Sequence, residues 1–434
     1  MAETSFVRTE MLPPRPAPVS QVGAVKWMRE NLFSGPLNTV LTVFGLFATI
    51  WLVQAAAPWL LHGVWSANSL SECRAIIAAA HGPEATGACW AVIRVRWNQF
   101  LFGFYPVDQY WRLFVTFAGL FLALAPVLFD SLPRKLLWGA LLYPLVAFWL
   151  LWGGSVWGPV AVLAGFVLLG LSFNALAPKL GVQVSAGIGL VAAALFWLYA
   201  AAPIEAALQS VLPFALSEVD SDRFGGFLLA LVIGVTAIVV SLPLGILLAL
   251  GRQSDMLIVK SLSVGVIEFI RGVPLITLLF TASLLLQYFL PPGSNFDLIL
   301  RVVILVTLFA AAYIAEVIRG GLAALPRGQY EAADALGLDY WQAQRLIIMP
   351  QALKISIPGI VSSFIGLFKD TTLVTFVGLF DPLRGISNVV RSDMAWKGIY
   401  WEPYIFVAVI FFLFNFSMSR YSMYLERKLK RDHR

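Results

Sequence analysis

Twenty-seven consecutive residues, Phe224 to Leu250, contain no ionisable side chain. About 20 apolar residues in a helix cross the hydrocarbon core of a bilayer, so this run commits the chain to a membrane. Leu37 to Leu61 is a second run of the same kind. Leu113 to Leu128, Leu136 to Trp152, Pro159 to Phe173 and Gly187 to Ala202 are shorter, and the middle two form a hairpin joined at Gly153-Gly154-Ser155. Of the 434 residues, 59% are hydrophobic and 12% charged, whereas a soluble domain carries about 25% charged residues. No soluble fold buries so much apolar surface, and the expected class is an all-α polytopic membrane protein.

Met256 to Leu290 is too long for one straight crossing, since 35 residues at about 1.5 Å each exceed roughly 50 Å. It divides into an interfacial helix and a span starting near Arg271-Gly272-Val273-Pro274. Asp297 to Ile318, Ile355 to Phe380 and Pro403 to Tyr421 complete ten expected crossings, with eight as the rival count. The net charge of +6 is concentrated in short polar segments and in the tail Arg420 to Arg434, a positive-inside pattern rather than a nucleic-acid-binding one. Ten crossings place both termini and the loops at Arg134, Lys179 and Arg252 in the cytoplasm. Pro291 to Asp297 falls outside, and Arg384, Arg391 and Lys397 there are a local exception. Residues 1–36 read as a cytoplasmic arm without a signal peptide. Residues 37–222 read as an N-terminal membrane block with an outside polar loop at 62–112, and residues 223–434 as a second block.

Between two greasy segments lies the polar stretch Arg319 to Lys354. Glu331 to Leu336 has helical composition, Gly337 is a C-terminal stop, Asp339 can cap a second short helix, and Pro350 suits a first helical turn. Two short helices meeting at a glycine form a knob too polar for lipid. Glu331-Ala332-Ala333, three residues, Gly337, nine residues, Ile347, one residue and Met349-Pro350 resemble the EAA loop of ABC importer permeases, with methionine in place of the family's leucine. Phe269 to Leu275, with R-G-V-P-L, and Phe368 to Val374, with K-D-T-T-L-V, are similar to segments of the polar amino-acid branch. The similarity spans about half of the chain. The long N-terminal block, with G-A-C-W-A-V-I-R-V-R-W, resembles the M-type subunit of general L-amino-acid importers of the Aap and Bzt kind.

That resemblance implies a type I ABC importer permease core of about five transmembrane helices, preceded by an N-terminal block of about five, in a bacterial inner membrane. It implies that Glu331, Ala332, Ala333, Gly337, Ile347 and Pro350 engage a cytoplasmic ATPase dimer. It further implies a second, paralogous permease subunit and a periplasmic amino-acid-binding protein. No cofactor is expected in this chain, because ATP and Mg belong to the ATPase. The chain itself carries no phosphate-binding G-x-x-x-x-G-K-[ST], no H-E-x-x-H and no G-x-S-x-G, so it reads as a non-catalytic permease. An ion-coupled secondary transporter is the alternative.

Lys369 and Asp370 lie about 20 Å along a helix from Ile355, and ionisable groups at such depth face a cavity or a partner. One reading makes Arg271, Lys369, Asp370, Thr371 and Thr372 a polar substrate pathway. The other makes Asp370 the structural partner of Lys369 or Arg271. Glu268 with Arg271, and Glu316 with Arg319, are spaced as intrahelical ion pairs. Gly225, Gly226, Gly234 and Gly245 permit close helix approach. Cys73 and Cys89 share the outside loop, where a disulfide would close about 15 residues for roughly 3 kcal/mol. His81 between them supplies only a third ligand, which is thin for a metal.

Overall fold

The computed structural model describes residues 23–129, 131–289 and 297–431, and helices dominate it. Most of the expected arm, and the loop 290–296, lie outside the described residues. Two compact units emerge, dividing at Val95.

In the first unit, α1 (Gly23–Asn31) precedes α2 (Pro36–Leu61), whose apolar side chains face outward all round, as those of a lipid-embedded span do. The polar loop expected after it is folded. It contains α3 (Leu70–His81) and the start of α4 (Ala91–Phe102). Ser69 caps α3 by accepting the Glu72 N–H at 3.1 Å, and the Glu72 carboxylate accepts from the Asn68 N–H at 2.8 Å. Ser69 and Glu72 are the serine-to-glutamate spacing of a helix start, a signal obscured by the segment's overall polarity. Cys73 and Cys89 are joined with Cα atoms 6.1 Å apart.

The second unit begins with a hairpin of α5 (Tyr110–Leu128) and α6 (Leu137–Trp152), in which the Tyr143 hydroxyl donates to the Thr116 carbonyl at 2.6 Å. Next comes α7 (Trp157–Leu180). Then α8 (Val182–Leu195) passes through a wider π turn at Phe196–Ala200 into α9 (Ala201–Val211). A short antiparallel ribbon, Gly154–Ser155 with Ala215–Leu216, ties the two ends of this stretch together.

The remainder is built on α10 (Gly226–Gln253) and α13 (Leu298–Ala323). They meet where a Cβ at Gly245 would stand 2.7 Å from the Ile314 side chain. Such small-residue contacts let helices approach where lipid gives no hydrophobic drive. Between them, α11 (Leu257–Gly272) and α12 (Leu275–Phe289) meet at a 103° elbow at the expected Gly272-Val273-Pro274 break. Past α13 come α14 (Gly328–Ala335) and α15 (Tyr340–Ala343), then α16 (Met349–Asp370), a tighter 3₁₀ turn at Thr371–Val377, α17 (Pro382–Ser392) and α18 (Trp401–Arg431). A Cβ at Gly321 would lie 2.6 Å from the Ala352 carbonyl, and one at Gly359 2.6 Å from the Val317 side chain, so α16 runs closely along α13.

Among the described residues nine helices are long and apolar enough to cross a membrane, or ten if the bent pair α11–α12 counts as one crossing. The expected crossing from Arg271 is therefore short: α12 has 15 residues, about 22 Å of helix. Close contacts also cross the expected boundary at residue 222. Gly103 pairs with Phe224, and the Phe104 N–H donates to the Arg223 carbonyl at 3.2 Å.

Candidate coupling loop and transport path

The knob is built at its glycine. After α14 the Gly337 N–H donates to the Asp334 carbonyl at 2.9 Å and the Leu338 N–H to the Ala333 carbonyl at 3.2 Å. Those two bonds make a Schellman stop, with Gly337 at φ +70°. Asp339 then starts α15 with a reciprocal cap: the Gln342 N–H donates to Asp339 Oδ1 at 2.8 Å, and the Asp339 N–H to Gln342 Oε1 at 3.1 Å. The second helix is not short, however. From α15 the backbone continues through a π turn at Gln344–Ile348 into α16, so this arm of the knob is the base of a membrane-length helix.

Ala333 is buried, while Glu331, Ala332 and Gly337 lie on the surface, Ile347 is half-buried and Pro350 exposed. Gln351 Nε2 donates to Gln329 Oε1 at 2.8 Å, fastening α14 to α16. Around Gly337 the knob exposes Leu336, Tyr340, Trp341 and Leu346. These are large apolar groups on the surface of a largely polar stretch. Burial pushes the Tyr330 hydroxyl above its ordinary value.

Beside the knob, at the ends of α10, α11 and α13, two carboxylates gather three guanidiniums. Glu316 accepts from Arg319 Nε at 2.8 Å and from Arg252 Nη1 at 3.2 Å, and lies 3.6 Å from Arg271 Nη1. Glu268 accepts from Arg252 Nη1 at 2.9 Å. Of the two expected intrahelical pairs, Glu316–Arg319 forms. Glu268–Arg271 does not, because α10 delivers Arg252 to Glu268 and Arg271 turns to Glu316 and to the face of Tyr313, 5.6 Å from its centroid.

The five pathway residues do not form one cluster. Arg271 bonds at the level of Glu316, one residue before the Val317–Gly359 contact. Asp370 is eleven residues beyond Gly359, about 16 Å further along α16. Among the described residues no ion pair within 4 Å joins Asp370 to Lys369 or Arg271. Lys369 is exposed and Asp370 half-buried where α16 tightens into its 3₁₀ turn. Thr371 is fully buried; its hydroxyl donates to the Phe368 carbonyl at 2.7 Å, and its methyl packs toward Gly234 of α10. The Thr372 hydroxyl donates to the Lys369 carbonyl at 2.9 Å.

Sequence reasoning missed a cavity at the other end of these helices. Its volume is about 540 Å³, and Phe104, Asp222, Phe224, Arg301, Phe380 and Arg384 are among its walls. The signal that could have located it is Asp381-Pro382, a cap and first turn that start α17 and set Arg384 one turn in. Asp381 is fully buried and accepts the Leu383 and Arg384 N–H groups at 3.2 and 3.0 Å; burial pushes its carboxyl above the usual range.

Residues 241–431 match the family model described as binding-protein-dependent transport system inner membrane component. The chain is 92% identical, over all of both chains, to the glutamate/glutamine/aspartate/asparagine transport system permease protein BztC of Rhodobacter capsulatus. It is 40% identical to the inner membrane amino-acid ABC transporter permease protein YhdY of Escherichia coli K12, over 96% of each. It is also 34% identical to the glutamate/aspartate import permease protein GltK of Escherichia coli O6:H1, over 47% of this chain and 91% of that shorter one. With full-length relatives of this identity and the core matched from α10 to α18, the chain belongs to the binding-protein-dependent transport system inner membrane components, the non-catalytic permease subunits of ABC importers.

Proposed function

We infer that this permease carries L-amino acids with acidic and amide side chains into the cell, driven by ATP hydrolysed on a partner. The substrate class rests on the relatives: BztC is named for glutamate, glutamine, aspartate and asparagine, and GltK for glutamate and aspartate. The coupling half of the reading rests on the knob. A Schellman turn at Gly337 and a reciprocal cap at Asp339 fix its shape, and it offers Glu331, Ala332 and an apolar face of Leu336, Tyr340 and Trp341. A rigid, exposed, mixed apolar and acidic knob at the base of α16 suits a groove on a cytoplasmic ATPase, whose ATP and Mg stay on that subunit. Closure of the ATPase pair would then be passed directly into α16, because α15 and α16 are one continuous helix.

In this reading both termini and the knob lie in the cytoplasm. A periplasmic binding protein delivers substrate to the opposite face, and a second, paralogous permease completes the path. Asp370, Lys369 and Thr372 line it, while Arg271 belongs to the ionic cluster near the knob. The experiment is uptake into proteoliposomes holding the assembled complex. Uptake of glutamate and glutamine should require ATP on the ATPase side and the binding protein on the other, with no imposed ion gradient, and Glu331→Lys should abolish it without loss of complex. Uptake driven by an ion gradient alone would make the chain a secondary transporter and sink the reading.

A further inference from the structure

The cavity between α10, α13 and α17 lies at the far end of the core from the knob. It sits at the start of α10, at the start of α13 and just past the 3₁₀ turn that follows α16, and α13 alone separates the two ends by 26 residues, about 39 Å. Its walls combine three aromatic faces, Phe104, Phe224 and Phe380, with four charged groups, Asp222, Asp297, Arg301 and Arg384.

Each of the first three charges has a protein contact of its own. Asp297 caps α13, accepting the Leu300 N–H at 3.0 Å. Asp222 lies 3.9 Å from Arg223. Arg301 is 6% exposed and donates from Nη1 to the Ser283 carbonyl at 2.9 Å. Arg384 differs. Among the described residues no hydrogen bond and no ion pair within 4 Å takes up its guanidinium; the carboxylate three residues before it, Asp381, feels its charge but accepts from the α17 backbone. Its Nη1 lies over Gly378, 3.6 Å from where a Cβ would stand, which is ordinary van der Waals distance. Arg384 is also one of the basic residues that break the positive-inside pattern, a placement that membrane topology leaves unexplained.

We propose that this cavity is an outer-mouth selection site for dicarboxylic amino acids, with Arg384 receiving the side-chain carboxylate. The proposal rests on the amino-acid import reading above. The volume falls inside the roughly 300–1,000 Å³ of small-molecule sites. A guanidinium holds a carboxylate in a two-bond fork that an amide cannot match in charge, while Asp222 supplies a counter-charge for the ammonium group. The rings of Phe104, Phe224 and Phe380 give the cavity an apolar wall beside these charges. Phe104 comes from the segment before α5, and its ring centre stands 4.5 Å from that of Phe380. The N-terminal block thereby contributes a wall to the site, which gives that block a part in transport.

The test uses the assembled complex in proteoliposomes, with the binding protein saturated in turn with glutamate and with glutamine, and reads the ratio of the two uptake rates. Arg384→Gln should lower the glutamate-to-glutamine uptake ratio about tenfold, the worth of one charge-assisted fork. Arg384→Lys, which keeps the charge and loses the fork, should lower it a few-fold, and it decides the matter if Arg384→Gln does not assemble. An unchanged ratio, or equal loss of both substrates as expected of a binding-protein docking residue, overturns the proposal. A parent complex that imports neither amino acid overturns the import reading instead.

Discussion

Trp152 lies flat on Phe224, ring centroids 4.4 Å apart and planes 22° apart, and its indole N–H donates to Ser221 Oγ at 2.9 Å. One ring ends α6 and the other stands just before α10, so the N-terminal hairpin is welded to the permease core at the start of α10. Arg96 extends the weld by pairing with Asp393 beyond α17, and Tyr105 does so by setting its ring edge-on to Phe224, centroids 5.5 Å apart. The sharpest contact is backbone to backbone. Gly226 has φ +58°, and a Cβ there would stand 2.4 Å from the Phe100 carbonyl oxygen.

Gly226→Ala therefore meets both left-handed strain and a clash with main chain. The first alone costs about 1–2 kcal/mol, and the clash has no flexible side chain to yield. The variant should lose several degrees in thermal unfolding of the detergent-solubilised protein. Trp152→Phe, which keeps the stacking and forfeits one hydrogen bond, should lose about 1 kcal/mol. A Gly226→Ala protein as stable as the parent would mean that the weld is not structural.

What was legible in the sequence was local. Gly337, Asp339 and Pro350 each punctuate the helix they touch, so the shape of the knob follows from its own residues. The Gly272-Val273-Pro274 elbow was equally plain, because proline and glycine act on their own backbone. The ionic cluster was not, since Glu268 finds Arg252 sixteen residues away and Glu316 finds it at sixty-four. Spacing along one helix offered the nearer but wrong partner, Arg271. That the base of α16 is continuous with α15 was hidden by Pro350, which reads as a start but sits in the first turn after a π segment without breaking it. The cavity was least legible. Its walls come from four separate stretches of chain, and only their packing makes Arg384 unusual.

Glu316 is the hub of the cluster beside the knob, and its removal leaves Arg252, Arg271 and Arg319 crowded without their shared counter-charge. Stranding buried charges costs about 3–5 kcal/mol. The side chains of Arg252, Arg271 and Glu316 are 26%, 32% and 24% exposed, so solvent screening reduces this to roughly 2 kcal/mol. Glu316→Gln should destabilise the protein by that amount. Glu268→Gln, whose side chain is 53% exposed, should change stability by less than about 0.5 kcal/mol. Equal effects of the two in denaturant or thermal unfolding would remove Glu316 from its central place.

The disulfide gives a test of sidedness. Cys73 and Cys89 are joined, and such a bond persists where the surroundings are oxidising. A membrane-impermeant thiol reagent applied from outside should label this segment only after reduction. Replacing both cysteines by serine should cost about 3 kcal/mol of local stability. Labelling without reductant, or from the cytoplasmic side alone, contradicts the pairing or the orientation.

Asp370 separates a transport path from a packing contact. It stands where α16 tightens, half-buried, with Thr371 behind it held against α10 and no ion pair within 4 Å to Lys369 or Arg271 among the described residues. If it lines the path, Asp370→Asn keeps the shape and removes the charge. The complex should then accumulate at near-normal levels with impaired uptake and an altered preference between acidic and basic amino acids. If it were one half of a structural pair, the same change would strand its partner, typically at about 3–5 kcal/mol, and the complex would fail to accumulate. Asp370→Asn combined with Lys369→Met would restore it in that case. Quantifying complex in membranes for the single and double variants, beside uptake of glutamate and of arginine, distinguishes the two. Low levels rescued by the second substitution would withdraw Lys369 and Asp370 from the path.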